Sequence, residues 1–158
     1  MRRIFSCSSL PSAAGLYFLI LLMLTACSKP EQGLKDIFGD YFNIGVAVNP
    51  MQIFGYDTLA QPFIIKHFNT VTAEDAMKWE RIHPLPGKYD FTIADSTVAF
   101  AQRNGMLVDG HCLVWHSQTP DWVFKDSLGN PLTRETLLAR MRDHIFAVAG
   151  RYKGQITG

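Results

Sequence analysis

Strand-like and helix-like segments alternate along this chain, and that alternation restricts its fold more than any other feature. Phe42–Val48 (FNIGVAV) is a mostly apolar run closed by Asn49-Pro50, and it reads as a buried strand of the kind parallel sheets use. Asp57–His67 reads as a helix with Asp57 as N-cap and Pro62 inside it. Asn69–Ala73 is β-branched and reads as the second strand. Pro84, Pro86 and Gly87 mark a turn. Thr92–Asn104 carries Ala94, Val98 and Ala101 at helical spacing, and Asn104-Gly105 ends it. Met106–His116 reads as a third strand and Ser117–Pro131 as a loop. Thr133 then caps a helix with Leu137, Met141, Ile145 and Val148 on one face, and Gln155–Thr157 has the composition to begin a fourth strand. The order β-α-β-α-β-α implies an α/β fold with a parallel sheet and helices outside it. Periodicity does not separate an open doubly wound sheet from a barrel.

The chain has 158 residues, and a complete (β/α)₈ barrel takes roughly 250. Hydrophobic residues make up 47% and charged residues 18%, with a net charge of +1, an ordinary globular balance that argues against a disordered chain. The same balance gives no reason to expect nucleic acid as a partner. There is no GxGxxG and no P-loop, so nothing supports a nucleotide-binding version of the fold.

The first residues have a separate logic. Arg2 and Arg3 form a positive start, and Leu16–Leu24 (LYFLILLML) is a run of nine apolar residues. Leu24-Thr25-Ala26-Cys27 resembles a bacterial lipobox, in which Cys27 is lipidated and becomes the mature N-terminus. The run Ala13–Cys27 is fifteen residues, shorter than the about 20 a spanning helix needs. Residues 1–26 are therefore expected to be a lipoprotein signal peptide, with a membrane contact through lipid on Cys27. The expected location is the cell envelope, at the outer membrane or cell surface. Residues 27–39 are expected to be a polar tether. Without Cys7 and Cys27, Cys112 has no partner for an intrachain disulfide. No Cys/His cluster has zinc-ligand spacing, and no metal or cofactor is expected.

Two clusters hold the candidate chemistry: Glu74-Asp75-Ala76-Met77-Lys78-Trp79 after the second strand, and Gly110–Gln118 at the end of the third. In parallel α/β folds that strand end is where ligands bind. In an extended strand His111, Leu113 and Trp115 would share a face. Carboxylates, amides, Lys and His serve sugar hydroxyls, and a flat Trp covers an apolar C–H face. With no basic cluster, a neutral carbohydrate fits better than a phosphate. Other readings stand beside this one. Glu74 and Lys78 make a surface i,i+4 pair in a helix, His111 and the tryptophans are ordinary core residues, and Cys112 is a small buried hydrophobe.

FNTVTAEDAMKWERIHPLPGKYDF and DGHCLVWHSQTPDW, at their spacing, closely resemble glycoside hydrolase family 10, the endo-β-1,4-xylanases. The resemblance runs from Phe42 to about Gly154 and implies a (β/α)₈ barrel, of which residues 40–158 are the N-terminal part, about three βα units. It implies xylan or xylo-oligosaccharides as partners. It makes Glu74, Asp75, Lys78, His111, Trp115 and Gln118 substrate-binding residues on the non-reducing side of the cut bond. His116 is a weaker candidate, expected on the other side of its strand. The family usually has Asn where this chain has Asp75. Family members retain anomeric configuration with two glutamates about 5 Å apart, the acid/base in a Trp-Asp-x-x-Asn-Glu motif after the fourth strand and the nucleophile near the seventh. Neither is expected among these residues, so this piece alone is expected to be inactive on xylan. A non-catalytic, lipid-anchored xylo-oligosaccharide-binding protein and a nonfunctional gene fragment are the alternatives.

Overall fold

The computed structural model describes residues 31–158, so the expected signal peptide and the lipid site at Cys27 lie outside the described residues. The chain runs through α1 (Leu34–Phe38), β1 (Gly45–Val48), α2 (Pro50–Ile53), α3 (Ala60–His67), β2 (Thr70–Ala73), α4 (Trp79–Ile82), α5 (Thr92–Arg103), β3 (Leu107–Asp109), a 3₁₀ turn (Asp121–Val123) and α6 (Arg134–Arg151). The strands form one parallel sheet in the order β1-β2-β3. Val46 pairs with Val71 and Val71 with Val108, while Val48 pairs with Ala73 and Thr72 with Asp109.

That register sorts the sheet into two unlike faces, because side chains alternate along a strand. Val48, Val71, Ala73 and Val108 are each at most 2% exposed. Helix α5 lies against β2 and β3, and its Ala94, Thr97, Val98, Phe100 and Ala101 are buried. Burying one such valine or phenylalanine contributes about 1.5–3 kcal/mol. A charge at Val71 would place an unpaired carboxylate where no water reaches. On the opposite face Ala47, Leu107 and Asp109 are exposed and Thr72 is half-buried. Along β1 in this chain, Val48 is buried and Ala47 exposed.

Boundary residues explain where elements begin. The Asn49 side chain accepts from the Met51 N–H at 3.1 Å and the Gln52 side chain from the Asn49 N–H at 3.0 Å, with Pro50 in the first turn. Asp57 Oδ1 accepts from the N–H groups of Leu59 and Ala60, so α3 begins three residues after Asp57 and not at it. Pro62 falls in that first turn, where a missing N–H breaks nothing. Asn104 and Gly105 (φ 64°) end α5 as expected. The Thr133 hydroxyl caps α6 through the Thr136 N–H.

Three segments differ from expectation. Leu34–Phe38, inside the expected tether, is helical and bound to α3: the Leu34 N–H donates to His67 Nδ1 and Lys35 Nζ to the Ile65 carbonyl. Gly33 allows this approach, since a Cβ there would lie 1.8 Å from the Lys66 carbonyl oxygen. Strand β3 stops at Asp109 instead of reaching His116, because β2 ends at Ala73 and offers no ladder farther on. Gln155–Thr157 forms no strand, yet the Thr157 N–H donates to the Val108 carbonyl and the Gly110 N–H to the Gly158 carbonyl. Helices α2 and α4, four residues each, are too short to show periodicity.

Candidate functional site

The carboxyl ends of all three strands point the same way, since the strands are parallel. Asn49 follows β1, Glu74 and Asp75 follow β2, and Gly110–Gln118 follows β3. The β1–β2 ladder continues one step farther, as the Glu74 N–H donates to the Val48 carbonyl at 2.9 Å. Asn49 then stands beside Glu74, and its Nδ2 donates to Glu74 Oε2 at 3.3 Å.

Lys78 is only 5% exposed, which removes the surface-pair reading of Glu74 and Lys78. Residues 74–77 are bends and turns, not a helix. The Lys78 Nζ lies 4.4 Å from the centre of the Trp115 ring, whose π-face partly offsets the desolvated charge. The His111 ring stands 6.2 Å from Trp115, tilted by 54°. Trp115 is 37% exposed, so one indole contacts Lys78 and His111 and still reaches solvent.

A second set of contacts joins the same loops. Gln118 Nε2 donates to Asp75 Oδ1 at 2.8 Å and to Glu80 Oε1 at 3.4 Å. The Glu80 N–H donates to the Gln118 carbonyl at 3.0 Å. Gln118 has φ 51°, a left-handed conformation that costs a non-glycine residue of order 1 kcal/mol and that these bonds hold in place. Glu80 and Asn49 were not singled out from the sequence. Their signal is register and spacing: one stands opposite Glu74 across a parallel ladder, the other opens α4.

His111, Leu113 and Trp115 do not share a strand face, because residues 110–116 form a loop; His111 meets Trp115 ring to ring, and Trp115 in turn meets Lys78. His116 is exposed in that loop, 5.2 Å from Trp115 ring to ring. Cys112 is half-buried. The candidate residues do not share one closed cavity. Asp75 and Glu80 border a cleft of about 510 Å³ with Pro50, Arg81 and Asp90. Trp115 borders a groove of about 370 Å³ with Trp79, Val114 and Met141.

Beneath the site, Trp79 is buried and stacks on His144 of α6 with 4.0 Å between centroids. His83 stacks on Tyr89 at 3.9 Å and meets Trp122 at 4.7 Å. Desolvation holds both imidazoles below their ordinary range, His144 at about 4, with the charge of His83 adding to it. This aromatic block supports the backbone from Lys78 to His83. Among the described residues no group of His, Cys, Asp or Glu side chains could hold a metal ion, and no helix is long and apolar enough to cross a membrane.

Residues 33–158 match the family model for glycosyl hydrolase family 10. Endo-1,4-beta-xylanase A of Xylanibacter ruminicola is 46% identical over 140 residues, covering 89% of this chain and 38% of that protein. Beta-1,4-xylanase of Dictyoglomus thermophilum is 49% identical over 123 residues, covering 78% of this chain and 32% of that one. The chain thus spans between about a third and two fifths of the length of these curated relatives. Among solved structures, a psychrophilic family 10 endo-beta-1,4-xylanase superposes with a TM-score of 0.75 at 40% identity, over 80% of this chain and 38% of that one. A mutant protein solved in complex with xylotriose superposes with a TM-score of 0.71 at 37% identity, over 77% of this chain and 36% of that one. The three parallel strands with their helices are the N-terminal part of a (β/α)₈ barrel, and the chain belongs to glycosyl hydrolase family 10.

Proposed function

We propose that the protein is a retaining endo-1,4-β-xylanase and that this chain supplies its glycone-side sugar grip. The observation that carries the reading is the contact of one half-exposed indole, Trp115, with Lys78 and His111 at the carboxyl end of the sheet. In this reading Trp115 covers the C–H face of a xylose unit, Lys78 and His111 donate to its hydroxyls, and Glu74 and Asp75 accept from them. Gln118 holds the Asp75 carboxylate in position. The similarity to xylanases, and to a protein solved with xylotriose, supports xylan or xylo-oligosaccharides as the substrate class. The two glutamates that break the bond lie, in this reading, on polypeptide other than these residues. Cys27 carries lipid and holds the enzyme at the cell envelope.

The test is xylan hydrolysis by the complete gene product, with reducing ends counted. Trp115→Ala and Lys78→Met are expected to lose most of the rate on xylan and most of the affinity for xylotriose. A complete protein that neither cleaves xylan nor binds xylotriose would overturn the reading. Cys27→Ser is expected to release the protein from the membrane fraction and end its labelling by radioactive palmitate. Unchanged labelling would remove the anchor.

A further inference from the structure

We infer that Asn49 is a positioning residue for the Glu74 carboxylate, so that the end of β1 helps set sugar affinity without touching sugar. The inference rests on the xylanase reading above. It starts from the polarity of one amide. Asn49 Oδ1 accepts from the Met51 N–H at 3.1 Å, which caps α2. A flipped amide would turn an NH₂ group toward a backbone N–H, donor against donor, so the cap fixes which end of the side chain carries the hydrogens. Nδ2 is thereby aimed away from the helix, and Glu74 Oε2 accepts from it at 3.3 Å.

The backbone on both sides is held as well. The Asn49 N–H donates to Gln52 Oε1, completing the reciprocal cap, and the Glu74 N–H donates to the Val48 carbonyl. Glu74 is exposed, and an exposed glutamate without a side-chain bond turns freely among rotamers. With Oε2 engaged by Asn49, Oε1 remains as an acceptor for a hydroxyl. Asp75 is held in the same way, by the amide of Gln118. Each carboxylate of the pair therefore has one amide that orients it, and the two amides come from different strand ends.

The cap and the carboxylate contact can be separated by mutation. Ser is a good N-cap, yet its hydroxyl is too short to reach Glu74. In the complete protein, Asn49→Ser is expected to keep the wild-type melting temperature within about 2 °C. It is expected to raise the Kd for xylotriose about three- to tenfold, the range for a lost charge-assisted hydrogen bond at a partly exposed site. On xylan the effect falls on KM, with kcat nearly unchanged. Gln52→Ala damages the cap but not the Glu74 contact, and is expected to lower the melting temperature with Kd unchanged. The decisive measurement is the double variant. If Asn49 acts through Glu74, Asn49→Ser adds nothing in a Glu74→Ala background. Additive losses, or wild-type affinity in Asn49→Ser while Glu74→Ala binds weakly, overturn the inference and leave the xylanase reading intact. Failure of the wild-type protein to bind xylotriose defeats that reading, and the inference with it.

Discussion

The Lys78 ammonium lies 4.4 Å from the centre of the Trp115 indole, and this contact joins the segment after β2 to the loop after β3. Neither partner is placed by its own element, since β3 ends at Asp109 and Lys78 precedes α4. Trp115→Ala removes the π-face from a cation that is only 5% exposed. A partly desolvated cation–π pair contributes about 1–2 kcal/mol, and in the proposed reading the platform for the sugar is lost with it. Xylotriose affinity is expected to fall at least tenfold, with Trp115→Phe retaining part of it. Titration calorimetry on the complete protein checks this, and equal affinity for wild type and Trp115→Ala would detach the contact from sugar binding.

Asp75→Asn is expected to be nearly silent. Gln118 Nε2 donates to Asp75 Oδ1, and an asparagine offers the same oxygen. Affinity for xylotriose should stay within about threefold of wild type. Gln118→Ala should be worse, because it releases Asp75 and Glu80 together and leaves a non-glycine residue at φ 51° without the contacts that hold its side chain. Equal effects of the two substitutions would mean that the amide bridge does not orient the site.

Much of this was legible in the sequence, and the shortfalls have physical causes. The three strands and the helices at 60–67, 92–103 and 134–151 follow from apolar spacing and caps such as Thr133. The strand ends do not, because a strand stops where its neighbour stops, and Met106–His116 carries no mark of where β2 ends. Motif likeness marks the candidate site residues, whereas Asn49 emerges only from pairing across the β1–β2 ladder and Glu80 only from its bonds to Gln118. In sequence, His144 on an amphipathic helix resembles a solvent residue, although its ring is buried against Trp79. Burial of His83 and His144 answers to tertiary packing that local spacing cannot encode.

Asp95 and Arg151 clamp α5 to the end of α6. The Arg151 guanidinium donates to both carboxylate oxygens, and the Tyr152 hydroxyl adds a bond of 2.9 Å. The Arg151 hydrogen bonds, with help from Tyr152, hold the Asp95 carboxyl below its ordinary range against some desolvation. Both side chains are over 40% exposed, so solvent screening limits the pair to about 1 kcal/mol. A depressed carboxyl stabilises the fold above its unfolded value of about 3.9 and ceases to do so as pH falls through the folded value. Asp95→Asn should therefore lower the urea midpoint at pH 7, and the difference from wild type should shrink as pH falls below about 3.9. A difference that does not change with pH on the acid side would assign the effect to packing.

Acid sensitivity between pH 6.5 and 4 has a different source, the buried imidazoles. His83 and His144 lie 5.8 Å apart, ring to ring, and both rings are buried. Burial favours the neutral form of both, and His144 is held at about 4 chiefly by desolvation, then by His83, against a hydrogen bond with the Leu113 backbone. An unfolded histidine titrates near 6.5, so between 6.5 and 4 the unfolded chain binds the extra proton. Stability is then fully present above pH 6.5, declines as pH falls, and levels off below about 4. His144→Phe keeps the stack on Trp79 and removes the titration. Its urea midpoint should drop less than that of wild type between pH 7 and pH 4.5, with Trp fluorescence following the same curve. Parallel declines in the two proteins would show that His144 is not the group responsible. Because His144 braces Trp79, the residue next to Lys78, the same proton is expected to weaken xylotriose binding in step with stability in wild type, and not in His144→Phe.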